Sequence, residues 1–266
     1  MKTSSFINST VLVFLLLLSK LALAETLLTL PSPFEDGKTY PLLVVLHGCN
    51  QTADEFRSVT EFDQLAQSHG FIVMYPEQKL IRNIKRCWNW FLPQNQSADG
   101  IETKEIMATI QAVKENYPID SENVFVAGLS AGGSMAGLLA KCYPGEFRAA
   151  AIHSSPSPLR ARGAMEALKL MKDGPAEFPR YEKICQHGTP LPIMVIHGTA
   201  DDRVAPSNAP SVLEDLGTGD TRSRLVMVGG LGHEWSGGAP GHKYSAPNGP
   251  KANELIWRFF SRQMNR

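Results

Sequence analysis

The chain has 266 residues, 43% hydrophobic and 20% charged, and its 26 basic side chains match its 26 acidic ones for a formal charge of zero. That is the composition of ordinary globular material with ample core, and it offers no charge excess to draw nucleic acid or an acidic surface as a partner. The length suits a single α/β domain.

Reading from the N-terminus, Lys2 gives a positive start, Val11 to Leu18 is an unbroken apolar run, and Ala22-Leu23-Ala24 is a small-x-small cleavage site. Together they read as a secretory signal peptide over residues 1–24, followed by one domain over 25–266. An apolar run this short falls well below the roughly 20 residues of a bilayer span, so no stable membrane span is expected in the mature chain. Lys20 keeps a retained anchor open as the alternative. Removing the leader leaves the charge near neutral, and a secreted or periplasmic location follows.

Export changes how the four cysteines read. Cys49, Cys87, Cys142 and Cys185 form an even set in an oxidising compartment, with no zinc-like spacing. Of the three possible connectivities, Cys49 with Cys87 and Cys142 with Cys185 is favoured, because each pair ties a loop to a nearby core element. One bridge plus two buried thiols is the alternative.

Beyond the leader, apolar runs alternate with helical periodicity. Strands are expected at 42–46, 71–75, 123–127, 149–153, 193–197 and 225–228, and helices at 54–68, 101–117, 134–143, 208–216 and 250–264. The alternation predicts an α/β fold, a mainly parallel doubly wound sheet with helices on both faces. Residues 154–192 exceed a simple crossover. With a helical stretch over 159–172 and a proline-rich passage, they read as a cap-like insertion over the site.

The most informative residues are Gly128-Leu129-Ser130-Ala131-Gly132-Gly133. They set a serine on the turn from a buried strand into a helix, where small neighbours permit close approach and the hydroxyl is exposed. Ser130 is the candidate nucleophile. A hydroxyl needs a base, and the base an acid to orient it. After the strand at 193–197 comes Gly198-Thr199-Ala200-Asp201-Asp202, and after the last strand Gly229-Gly230-Leu231-Gly232-His233. Asp201 and His233 are the candidate acid and base, with Asp202 and His242 as rivals. His47, His153 and His197 each end a strand and read as structural, as do the surface residues His69 and His187. No second histidine follows His233-Glu234 at zinc spacing, so no metal is expected.

An oxyanion needs two backbone donors. Ala131 supplies one by position. The other is expected from the loop His47-Gly48-Cys49-Asn50-Gln51, with Cys49 first and Asn50 second. Trp88, Trp90 and Trp235 lie near these motifs and read as either a substrate pocket or core packing.

His47-Gly48-Cys49-Asn50-Gln51-Thr52-Ala53, Tyr75-Pro76-Glu77-Gln78, Cys87-Trp88-Asn89-Trp90-Phe91, the serine turn and Gly232-His233-Glu234-Trp235-Ser236-Gly237-Gly238 occur in this order. The set resembles the poly(3-hydroxybutyrate) depolymerase esterase family, from about Pro41 to Phe260. The resemblance implies an α/β-hydrolase fold and the same assignment of Ser130, Asp201, His233 and the Cys49 amide. It also implies no cofactor and an ester substrate, either a hydroxyalkanoate ester or a feruloyl or acetyl ester of plant polysaccharide. Polymer-degrading members often add a linker and a polymer-binding domain. Neither is recognisable here, so soluble oligomers or small esters are the expected substrates. Peptidase or amidase activity on the same residues, and a non-catalytic binding protein on a hydrolase fold, are the competing classes.

Overall fold

The computed structural model describes residues 26–185, 190–217 and 219–264. The expected leader over 1–24 and His187 lie outside the described residues. The main sheet has seven strands in the order β1-β3-β2-β4-β5-β6-β7. These are β1 (Leu27–Thr29), β2 (Tyr40–Leu46), β3 (Ile72–Tyr75), β4 (Ile119–Leu129), β5 (Ala149–His153), β6 (Ile193–Gly198) and β7 (Arg224–Val228). All pair in parallel except β1, which runs antiparallel along β3 at the edge.

The central strands are apolar on both faces, as a doubly covered parallel sheet requires. Along β2, Leu42, Val44 and Leu46 join one core with residues of α3 (Ile101–Asn116), α4 (Ala131–Cys142), α5 (Ala164–Asp173) and α6 (Asn208–Gly217). Leu43 and Val45 face the other core, with α1 (Ala53–Thr60), α2 (Phe62–His69) and α7 (Ala252–Ser261). The period of two along one strand thus feeds both layers.

Several boundaries differ from the sequence expectation. The single helix over 54–68 is two. Glu61 adopts a left-handed backbone (φ 53°), caps α1 through its N–H to Arg57 O and starts α2. Asp63 holds the corner, accepting from Arg57, Thr29 and Tyr75. The helix expected over 159–172 begins only at Ala164, because Leu159 and Ala161 are core residues and Gln96 Nε2 donates to Ala161 O. Residues 154–185 are therefore anchored deep in the fold. A bidentate Arg160 to Asp215 pair and the Cys142–Cys185 disulfide add to that anchoring. The second disulfide joins Cys49 to Cys87. A small two-stranded ladder, β8 (Trp235–Ser236) with β9 (Ser245–Ala246), lies beyond β7.

Three histidines cluster where strands end. His153 is fully buried: its ring stacks on Trp235 at 4.9 Å, Nδ1 bonds Ser154 Oγ, and Nε2 accepts the N–H of Ser236. Burial, then the neighbouring His197 and His233, lower its pKa from 6.5 to about 3. His47 is likewise lowered by burial. An unfolded chain takes up a proton at His153 near pH 6.5 that the native state refuses until about pH 3, so stability is greatest above the upper value and falls as pH drops through this window. One such group contributes up to about 1.4 kcal/mol per pH unit. Urea unfolding should give a lower midpoint at pH 5 than at pH 7.5, with a shallower pH slope in His153→Gln; an unchanged slope would exclude His153 as a source.

Candidate active site

The turn from β4 into α4 places Ser130 by force. Its backbone sits at φ 56°, ψ −122°, a region that side-chain-bearing residues rarely occupy. Surrounding bonds hold it there: Ser130 N donates to His153 O at 2.8 Å, and Ser130 O accepts from Ser155 Oγ at 2.5 Å and from Ser134 N at 3.0 Å. Close approach explains the glycines. A Cβ on Gly132 would run into the carbonyl oxygens of Leu46 and His47, and one on Gly128 would strike the Gly132 backbone. The serine turn is therefore seated directly against the end of β2.

Two loops at the same edge of the sheet complete a chain of contacts. Ser130 Oγ lies 3.0 Å from His233 Nε2, and His233 Nδ1 lies 2.8 Å from Asp201 Oδ2. The opposite carboxylate oxygen accepts the N–H groups of Arg203 and Val204 at 3.0 and 2.9 Å. With its side chain fully buried, the Asp201 carboxyl is pushed up by burial, but hydrogen bonds from His197 and His233 outweigh this and hold it below the usual carboxylate range. It is an anion across the working pH range, suited to accepting from Nδ1 and leaving Nε2 free to take the serine proton.

His197 goes beyond the structural part expected of it. Its Nε2 lies 2.9 Å from Val204 O and 3.4 Å from Asp201 Oδ2, while its buried Nδ1 has no partner among the described residues. It steadies the acid and its loop together. Of the rivals, Asp202 and His242 are exposed and line the outer groove; Asp201 is the residue that meets His233.

The loop after β2 presents backbone amides beside Ser130. Gly48 N is occupied by Gln51 Oε1 at 2.9 Å, and Asn50 N by Lys85 O at 2.6 Å. Between them the Cys49 amide has no acceptor among the described residues, and Ala131 N, at the first position of α4, has none within the helix. Both amides stand beside Ser130, and the Cys49–Cys87 bridge ties the first to the loop that carries Lys85. Asn50 drops out as the second choice because its N–H is already engaged.

A cavity of about 120 Å³ opens here, lined by Ser130, His233, Leu129, Met171, Arg203 and Tyr244 together with residues 48–51. None of the three tryptophans reaches it. Trp235 has no exposed surface and is packed edge-on against Phe56 and Phe62 and face-on against His153. Trp88 and Trp90 belong to the core on the other side of the sheet. Between them in the chain, the Asn89 side chain and N–H bond Glu102, and Asn95 bonds both Asn89 O and Glu102 N. Core packing, the second of the two readings, accounts for Trp90 and Trp235; Trp88 is buried too but lines a separate cavity of about 570 Å³ with Pro76, Gln78 and Ile106. Met171, Arg203 and Tyr244 were not singled out from the sequence, since they meet only through folding. Among the described residues no cluster of His, Cys, Asp or Glu is placed to hold a metal ion, and no helix is long and apolar enough to cross a membrane.

Comparison with known proteins follows the same lines. A family model described as esterase PHB depolymerase matches residues 27–217, which include Ser130 and Asp201. Poly(3-hydroxyalkanoate) depolymerase C of Paucimonas lemoignei is 32% identical over 205 residues, covering 73% of this chain and 49% of that protein. Feruloyl esterase B of Neurospora crassa is 29% identical over 186 residues, 65% of this chain and 63% of that protein. The chain thus spans between about half and two-thirds of the length of these relatives. Among solved structures, an acetyl xylan esterase from Aspergillus awamori superposes with a TM-score of 0.71 at 18% identity, over 89% of this chain and 93% of that one. That likeness, with the mainly parallel sheet, makes the fold an α/β-hydrolase. On the extent of the family match, the chain belongs to the esterase PHB depolymerase family.

Proposed function

We propose that this chain is a serine esterase that hydrolyses carboxylic esters through an acyl-enzyme, and that hydroxyalkanoate esters or their oligomers are its substrates. The observation that carries the reading is the unbroken path from Ser130 Oγ through the His233 ring to the buried Asp201 carboxylate, beside the Cys49 and Ala131 amides, which have no acceptor among the described residues. His233 Nε2 takes the serine proton as Oγ attacks the ester carbonyl. The oxygen that becomes negative lies toward the Cys49 and Ala131 amides, and Asp201 stabilises the imidazolium. His233 then gives its proton to the leaving alcohol. Water, deprotonated by the same ring, releases the acid and restores Ser130.

The inner cavity is small, about 120 Å³ with Leu129 and Met171 among its walls, which suits a short acyl chain such as hydroxybutyryl. The second reading, an acetyl or feruloyl esterase of plant polysaccharide, is favoured by the similarity to feruloyl esterase B and to the acetyl xylan esterase fold. An acetyl group fits the same small cavity; a ferulate ring has to use the open groove beside it. Export, with the two disulfides as support, belongs to this proposal.

Ser130→Ala and His233→Ala should each lower kcat by at least about a thousandfold, with thermal unfolding of Ser130→Ala close to that of the parent. Full activity in either variant would contradict the mechanism. Initial rates on 3-hydroxybutyrate oligoesters, methyl ferulate and acetylated xylan, beside matched ester and anilide pairs, then separate the substrate classes. The oligoester should be preferred and the anilide cleaved poorly; preference for ferulate or xylan would move the chain to the polysaccharide reading, and preference for the anilide would make it an amidase.

A further inference from the structure

The cavity at Ser130 and a wider groove of about 490 Å³ beside it share Arg203, His233 and Tyr244. Tyr244 is the platform. Its backbone is left-handed (φ 61°), its carbonyl accepts Trp235 N at 2.8 Å, and its ring carries two cations, Arg203 with its guanidinium carbon 5.6 Å from the centroid and Lys243 with Nζ at 5.0 Å. Neither cation has an ion-pair partner among the described residues. Arg203 is the one residue of fixed charge lining the inner cavity. The groove adds His242 and two carboxylates, Asp202 and Glu234, neither of which forms an ion pair with these cations.

The position of Arg203 is set by the machinery itself. Its N–H is bonded to Asp201 Oδ1, so its side chain leaves the backbone next to the acid and lies alongside His233, the group that protonates the departing alcohol. We infer that Arg203, with Lys243 beside it on the Tyr244 ring, binds a carboxylate carried by the leaving alcohol of the ester. The inference rests on the esterase reading above and narrows it. A hydroxyacid oligoester cut near its acid end bears such a carboxylate a few bonds from the scissile carbonyl, whereas methyl ferulate has none. A guanidinium matches a carboxylate with two parallel hydrogen bonds, and an unpaired cation in a cleft also draws anionic substrate in. An acidic sugar next to an acetyl ester offers the same chemistry.

The test compares kcat/KM of the full chain and of Arg203→Gln and Arg203→Lys on the 3-hydroxybutyrate dimer acid and on the methyl ester of the same dimer. The ratio of acid to methyl ester should fall about fivefold in Arg203→Gln, the scale of an exposed ion pair. The fall should come mainly through KM, be partly restored in Arg203→Lys, and leave the acid substrate less sensitive to salt. The same comparison on acetylated xylo-oligosaccharides with and without a glucuronic acid branch separates the two sources. A loss on the first pair assigns the site to hydroxyacid ends and a loss on the second alone to uronates. Equal ratios in parent and variants on both pairs overturn the carboxylate site while the esterase reading stands; a parent that cleaves none of these esters removes both.

Discussion

The site depends on one close approach, the seating of the serine turn against the end of β2. Gly132 lies on the carbonyls of Leu46 and His47 with no room for a side chain, and Ser130 holds a left-handed backbone between β4 and α4. That single packing fixes Ser130 and the amides beside it, since Ala131 belongs to the turn and Cys49 lies in the loop that leaves β2. The local strain is offset by the bond that Ser130 N donates to His153 O and by those that Ser155 and Ser134 donate to Ser130 O, so the amides are held in place by the fold itself.

Around this seat the charges are arranged by burial. The sheet delivers His47, His153 and His197 into its dry edge, and desolvation keeps His47 and His153 neutral at pH values where a free imidazole begins to charge. Asp201 is buried as well, yet His197, His233 and two backbone amides bind its carboxylate and keep it ionised. The result is one buried anion facing one partly accessible histidine, the polarity that a proton shuttle from Ser130 requires. Arg203 sits one step outward over the Tyr244 ring, charged and without an ion-pair partner among the described residues, at the wall shared by the cavity and the groove.

The core strands were legible because a parallel sheet covered on both faces writes itself as short apolar runs, and the serine turn because its glycines answer a steric demand. The Asp201–His233 contact was foreshadowed by chain order, as each residue leaves a strand at the same edge. What could not be read depends on tertiary encounter. The break at Glu61 is hidden by apolar periodicity that runs on through both helices. β1 has only three residues, and β8 and β9 only two each, too short for a pattern. The tryptophans stand beside the motifs in sequence, but their rings are buried, Trp88 against His47, Trp90 against Phe91, and Trp235 against Phe56, Phe62 and His153. The second contact of His197 with Asp201, and the meeting of Met171, Arg203 and Tyr244 at Ser130, join segments that no local pattern connects.

The proposed mechanism requires Ser130 to be an activated nucleophile in the folded protein, and the most direct measurement is covalent. The folded chain is treated with a fluorophosphonate probe, digested, and its adducts are mapped by mass spectrometry, beside His233→Ala and a heat-unfolded control. A single adduct on Ser130, formed rapidly in the parent and nearly lost in both controls, is the predicted result. No adduct at Ser130, or labelling that survives loss of His233, would contradict it.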